Sequence, residues 1–187
     1  HIPMATLVNE TLCATFNGLS KIYRACGYRV GWIAFSGNRE NAKNYLHAVE
    51  LLASLRLCAN VPGQWAVQTA LGGYQSVREL TSEGGRLFQA RQAIIDGVNN
   101  SEFMSLCEPD GAMYAFPAID TSLFETFDDQ KFAMELLEKK HVLIAPGSSF
   151  NVPYRNHFRL TTLPTTRKMQ TVFERIEEVL ETMQVSQ

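Results

Sequence analysis

The sequence predicts an α/β chain in two parts, a strand–helix portion followed by a smaller α+β unit. Three observations carry this. Short apolar runs give way to long helical periodicities over roughly the first 80 residues. From about Phe103 the character changes, and short strand-like runs crowd around turn residues. The composition is that of a globular protein: 187 residues, 45% apolar and 19% charged, enough for one large domain or two small ones. The division is expected near residues 75–85, with portions at 1–80 and 81–187.

Taken in order, His1 to Thr6 shows no helix cap and no turn of its own. Thr11-Leu-Cys-Ala-Thr-Phe16 reads as a short buried strand bounded by Asn17-Gly18. A buried strand so near the start needs neighbours, which creates the expectation that the sequence is part of a longer protein. Tyr28 to Phe35 reads as a second strand. From Arg39 to Leu57, apolar Ala42, Tyr45, Leu46, Val49, Leu52 and Ala53 recur at helical spacing. Asn60-Val61-Pro62-Gly63 breaks that helix, and Trp65–Leu71 forms another, stopped by Gly72-Gly73.

Gly84-Gly85 precedes a third helix with Leu87, Ala90, Ile94, Ile95 and Val98 on its apolar face. Phe103–Glu108 and Ala112–Phe116 flank Pro109-Asp110-Gly111, a turn signature, and read as an antiparallel hairpin. Asp128-Asp129 places acids at the positive end of a helix running to about Lys140. Val142–Ala145 and Phe158–Leu163 read as strands, and Thr166–Met183 as an amphipathic closing helix.

Several classes fall away. With 17 basic and 19 acidic side chains the net charge is −2, which offers no footprint for nucleic acid or an anionic membrane. No apolar run approaches the ~18–20 residues of a membrane span. The opening residues lack a basic start and an apolar stretch, so no secretory signal is expected and the reading is cytoplasmic. Cys13, Cys26, Cys58 and Cys107 lie far apart, without metal spacing, and are expected to be buried reduced thiols. No metal site is expected. His47 and His141 read as surface or helix-end residues.

The chemistry concentrates in Asn17-Gly-Leu-Ser-Lys21. A lysine after a strand and a Gly-containing turn points out of the sheet edge, where the ligand sites of α/β proteins collect. Arg29 follows eight positions later. A partly desolvated lysine can be a neutral amine that forms an imine with an aldehyde. An arginine suits a phosphate, because its planar fork holds two oxygens and keeps its proton. Aldehyde and phosphate on one small molecule describe pyridoxal phosphate. Against this stands the fact that most lysines are simply solvated surface residues.

The whole run Gly18-Leu-Ser-Lys21-Ile-Tyr-Arg-Ala-Cys-Gly27-Tyr-Arg29-Val-Gly31-Trp32 resembles the lysine motif of the class I and II aminotransferases of fold type I. Gly111–Pro117, Ala145–Phe150 and His157-Phe-Arg159-Leu-Thr agree in order. Leu55–Pro62 and Thr69–Tyr74 resemble the bacterial glutamate–pyruvate (alanine) branch. The likeness covers the chain but only the second half of a family member.

The resemblance implies an α/β fold: the C-terminal part of the large pyridoxal-phosphate domain, then the small α+β C-terminal domain. It implies that Lys21 binds the cofactor covalently and shuttles a proton, and that Arg29 holds the phosphate. Arg159 would hold the substrate carboxylate, although by itself an arginine between Phe158 and Leu160 is more often half of a structural ion pair. Many relatives carry a serine where this chain has Gly18; Ser20 is the substitute candidate for the phosphate. Arg24 stands where the motif has a small or apolar residue, and either adds charge near the phosphate or pairs with a surface acid. The Asn60–Gln64 loop is one that reaches a neighbouring subunit's site in relatives.

The implied reaction is transamination between alanine and 2-oxoglutarate, with amino-acid and 2-oxo-acid substrates and a homodimeric assembly. In the family, the aspartate that pairs with the pyridine nitrogen and keeps it protonated precedes the lysine, so this chain alone is expected not to transaminate. Other readings are a different amino-acid specificity, a β-lyase, or a non-catalytic aminotransferase-like regulatory module.

Overall fold

The computed structural model describes residues 2–185 and divides into two compact units between Val77 and Arg78. In the first unit, Leu12–Gly18 (β1) and Gly31–Gly37 (β2) pair antiparallel, from Leu12 opposite Gly37 to Gly18 opposite Gly31. A 3₁₀ turn at Met4–Thr6, closed by Thr6 N–H to the Pro3 carbonyl at 3.0 Å, precedes β1 where the sequence shows none. His1 lies outside the described residues. The strand at Thr11–Phe16 forms, but it is not buried: only Cys13 is enclosed, and Phe16 is 73% exposed. Among the described residues β1 pairs with β2 alone, and a two-stranded ribbon cannot cover its own faces.

Lys43–Ser54 (α1) is entered through a 3₁₀ turn at Glu40–Ala42 and is shorter at both ends than its periodicity predicts. Val61–Gly72 (α2) begins earlier than predicted. Asn60-Val61-Pro62-Gly63 does more than stop α1, because Asn60 Oδ1 accepts the Gly63 N–H at 3.1 Å and Pro62 lies in the first turn. A proline there forfeits no hydrogen bond. Tyr45, Leu52, Leu55, Leu57 and Trp65 on and around these helices are all at least half exposed. A five-residue helix, Val77–Thr81 (α3), follows.

The second unit holds the core. Arg86–Asn99 (α4), Asp129–Lys140 (α5) and Thr166–Val185 (α6) bury Ile94, Val98, Phe132, Leu136, Met169, Ile176 and Leu180 together with Phe158 and Ile119. Gly97 of α4 lies against Phe173 of α6, where a Cβ would stand 2.5 Å from the ring, so its missing side chain sets how closely the ring approaches α4.

The hairpin predicted across Pro109-Asp110-Gly111 does not form. Met104–Ser105 (β3) pairs with Ala118–Ile119 (β5), while Tyr114–Ala115 (β4) pairs with Phe158–Thr161 (β7). Ala145–Pro146 (β6) takes the other edge of β7, giving the order β4-β7-β6. A turn signature reverses the chain but does not choose the partner. Non-local pairing instead puts Met104, Ala115, Ile119 and Leu160 into one buried cluster. The predicted Val142–Ala145 strand keeps its alternation, with Val142 and Ile144 buried and Leu143 exposed, but ladder pairing is confined to Ala145–Pro146.

The cysteine expectation needs correction. All four thiols are free, yet only Cys13 is buried; Cys26, Cys58 and Cys107 are exposed. They lie in connectors rather than on packed faces, which apolar neighbours in sequence do not reveal. His47 is exposed on α1, and His141 ends α5 in a left-handed conformation.

Candidate active site

Ser20, Lys21 and Arg29 all belong to the connector between β1 and β2. Its base is closed by the Gly18–Gly31 pair and by the Leu19 N–H donating to the Val30 carbonyl at 3.1 Å. A Cβ on Gly18 would stand 2.9 Å from the Val30 oxygen, and one on Gly31 2.9 Å from the Asn17 oxygen. A side chain at either position would require the neighbouring backbone to shift. Leu19 anchors the connector at 1% exposure, and Ser20 beside it is half-buried.

Beyond Leu19 the backbone folds back on itself. Arg24 N–H donates to the Lys21 carbonyl and Ala25 N–H to the Leu19 carbonyl, each at 3.1 Å. A 3₁₀ turn at Cys26–Tyr28 then leads to Arg29. Both Arg24 (φ 53°) and Arg29 (φ 50°) are left-handed, a conformation that costs a non-glycine residue about 1–2 kcal/mol. The Arg29 guanidinium donates to the Cys26 carbonyl at 2.9 Å. Arg24 donates to Ser76 Oγ at 2.9 Å, so its hydrogen-bond partner among the described residues is a hydroxyl rather than an acid.

Lys21 and Arg29 are both exposed. The connector therefore offers an amine, a hydroxyl and a guanidinium within ten residues, a donor set that fits a small molecule bearing an aldehyde and a phosphate. One contributor was missed by sequence reasoning. Asn60 caps α2 and also donates through Nδ2 to the Tyr28 carbonyl, tying α2 to the connector next to Arg29. Its only sequence signal is the Asn-x-Pro pattern of a helix start.

Arg159 belongs to the second unit. It lies in β7, opposite Ala145 of β6, with its neighbour Leu160 opposite Ala115 of β4. The guanidinium carbon sits over the rings of Tyr114 and Phe150, 4.8 Å from each centroid. The ion pairs of the described residues join Lys43 to Glu40, Lys131 and Lys139 to Glu135, and Lys140 to Glu178; none involves Arg159. The structural ion-pair alternative thus finds no partner here. A small, mainly apolar cavity of about 270 Å³ is lined by Arg159, Tyr114, Ala115, Phe116 and Phe150.

Aromatic groups extend from this cavity. Phe116 meets Phe150 edge-on at 5.7 Å and stacks on His157 at 5.0 Å, while Tyr154 lies 4.1 Å from the His157 ring. Burial lowers the pKa of His157, which favours the neutral ring. Among the described residues no group of His, Cys, Asp and Glu side chains could hold a metal ion.

The family model for aminotransferase class I and II matches residues 2–176. The glutamate–pyruvate aminotransferase AlaA of Escherichia coli K12 is 47% identical over 164 residues, which is 88% of this chain and 40% of that protein. An alanine aminotransferase of Mycobacterium tuberculosis H37Rv is 42% identical over 180 residues, 96% of this chain and 42% of its own length. Among solved structures, an E. coli aminotransferase superposes with a TM-score of 0.91 at 43% identity, covering 97% of this chain and 45% of that one. The alanine aminotransferase of Pyrococcus furiosus gives 0.88 at 30%, with the same coverage. The chain thus spans less than half the length of the relatives it matches, and class I and II aminotransferases are pyridoxal-phosphate enzymes. With the family pattern running through nearly the whole sequence and the fold superposing on solved members, the chain belongs to the class I and II aminotransferases.

Proposed function

We propose that this chain is the C-terminal portion of a pyridoxal-phosphate enzyme that transfers an amino group between L-alanine and 2-oxoglutarate, giving pyruvate and L-glutamate. The observation that carries it is the 42–47% identity to alanine aminotransferases, joined to a connector presenting Lys21 and Arg29 together. In this reading residues 1–80 belong to the large cofactor domain and 81–187 form the small domain.

Bound pyridoxal phosphate supplies an electron sink that lets the substrate Cα release its proton. The residues of this chain do the rest. Lys21 Nζ would hold the aldehyde and, as a free amine, would take and return the substrate Cα proton. Arg29 would hold the phosphate as a permanent single positive charge, with Ser20 adding a hydroxyl. Arg159 takes the α-carboxylate in bidentate geometry, converting a bimolecular encounter into an oriented one. The complete protein is read as a cytoplasmic homodimer.

The test is a substrate panel on the complete protein. Alanine and glutamate, with their keto acids, should turn over well above aspartate and aromatic amino acids. Alanine turnover at background beside strong aspartate or aromatic activity would refute the assignment.

A further inference from the structure

We propose that Asp129 is a positioning residue for Arg159, acting through the Ser148 backbone and the ring of Phe150; the inference rests on the reading of Arg159 as the carboxylate site. Asp129 opens α5 and is 1% exposed. Capping does not require it, because Asp128 Oδ1 already accepts the Lys131 N–H at 2.7 Å. An acid that served only the helix dipole could do so from water.

Asp129 instead reaches out of its helix. Its Oδ2 accepts the Ser148 N–H at 2.6 Å, while its Oδ1 is buried with no hydrogen-bond partner among the described residues. Enclosing a half-satisfied carboxylate is unfavourable, so the one bond it does make is the feature to explain. Gln130 repeats the tie, donating through Nε2 to Ser148 Oγ at 3.3 Å. Two successive residues of α5 therefore grip the 3₁₀ turn Gly147–Phe150.

That turn is held at its other side by the Gly147 N–H donating to the His157 carbonyl at 2.7 Å, two residues before Arg159. It ends in Phe150, whose ring lies under the Arg159 guanidinium. Ring faces orient a guanidinium through its charge and leave its N–H fork for a ligand. Loosening the turn should let the fork rotate away from the bidentate pose without touching the cofactor residues.

Asp129→Ala and Asp129→Asn test this with two readouts. The first is the Arg159 Nε–H resonance of the 187-residue chain, which the flanking rings shield. The second is the steady-state kinetics of the complete holoenzyme. Asp129→Ala should move the Arg159 signal toward its unshielded position and raise the KM for alanine about tenfold with kcat within about twofold, the pattern of lost uniform binding. Asp129→Asn keeps an acceptor for Ser148 and should restore both. Asp129→Ser, polar but too short to reach Ser148, repeats the alanine test with a better first-turn residue. An unmoved Arg159 signal and KM would overturn the proposal, as would loss of the core methyl signals in both the Ala and Ser variants. If Arg159→Lys leaves the KM unchanged, the carboxylate reading itself falls, and the resonance alone still reports whether Asp129 holds Arg159.

Discussion

The Arg159 guanidinium carbon stands 4.8 Å from the centroid of the Phe150 ring, a residue nine positions earlier in the chain and on a different element. The strand fixes where the arginine starts and the ring fixes where it ends. Lysine carries a charge to the same place but has no planar fork and no flat cation to lie on a ring. Arg159→Lys in the complete protein should therefore raise the KM for both alanine and glutamate by about 10- to 100-fold, the loss of a charge-assisted bidentate contact worth roughly 1.5–3 kcal/mol. Steady-state kinetics check it, and an unchanged KM would contradict it.

Asn60 makes two bonds with one side chain, one to its own helix and one to the Tyr28 carbonyl next to Arg29. Replacing it by alanine removes the cap of α2 and the tie together. The expected effect is a loss of about 1–2 kcal/mol locally, seen as faster amide exchange in residues 61–65 and in the Cys26–Val30 stretch. Exchange that speeds up only in α2 would show that the tie to Tyr28 is not used in solution.

Glu177 has its pKa raised, chiefly by burial, with Glu181 and Glu102 adding repulsion and a Ser101 hydrogen bond opposing both. Its Oε1 is buried and unpaired. A folded-state pKa above the unfolded one contributes stability that is complete below about pH 4.5 and disappears as the pH rises through the folded value. Glu177→Gln should thus raise the melting temperature at pH 7, by about 1–3 °C, and give no gain at pH 4. An equal gain at both pH values would contradict the electrostatic account.

Phe132 is fully buried, touching the rings of Phe127 and Phe158. Truncation to alanine should destabilise the second unit by about 3–5 kcal/mol. Calorimetry of the 187-residue chain would register the change as a large fall in the melting temperature of the transition that carries the α4–α6 core, and a shift of only a degree or two would be inconsistent with this packing.

Much of this was legible in the sequence because its signals are local. Helical periodicity located α1, α4 and α6, the paired acids Asp128 and Asp129 marked the start of α5, and the lysine–arginine spacing marked a connector that the structure folds as one loop. What escaped was set by distant partners. The Pro109–Gly111 turn could not say that Tyr114 pairs with Thr161 or Met104 with Ile119. The exposure of Cys26, Cys58 and Cys107 depends on which faces find a neighbour. Asp129 read as a dipole-facing acid, since nothing within a few residues announces Ser148, nineteen positions away. Asn60 read as a breaker because its second bond spans 32 residues.

The relatives' length bears on activity. If catalysis needs groups beyond those in this chain, the 187 residues alone should show alanine-to-pyruvate turnover at background even with added pyridoxal phosphate, because such groups act as a unit rather than additively. Robust turnover, with full-length enzyme excluded by mass spectrometry, would mean that the catalytic groups are misassigned.

Covalent capture at Lys21 is the most direct test of the account. The complete protein, loaded with pyridoxal phosphate and reduced with borohydride, should yield on peptide mapping a pyridoxyl group on the Lys21 peptide, and Lys21→Ala should abolish it. A pyridoxyl group on any other lysine, with Lys21 unlabelled, would contradict the central claim.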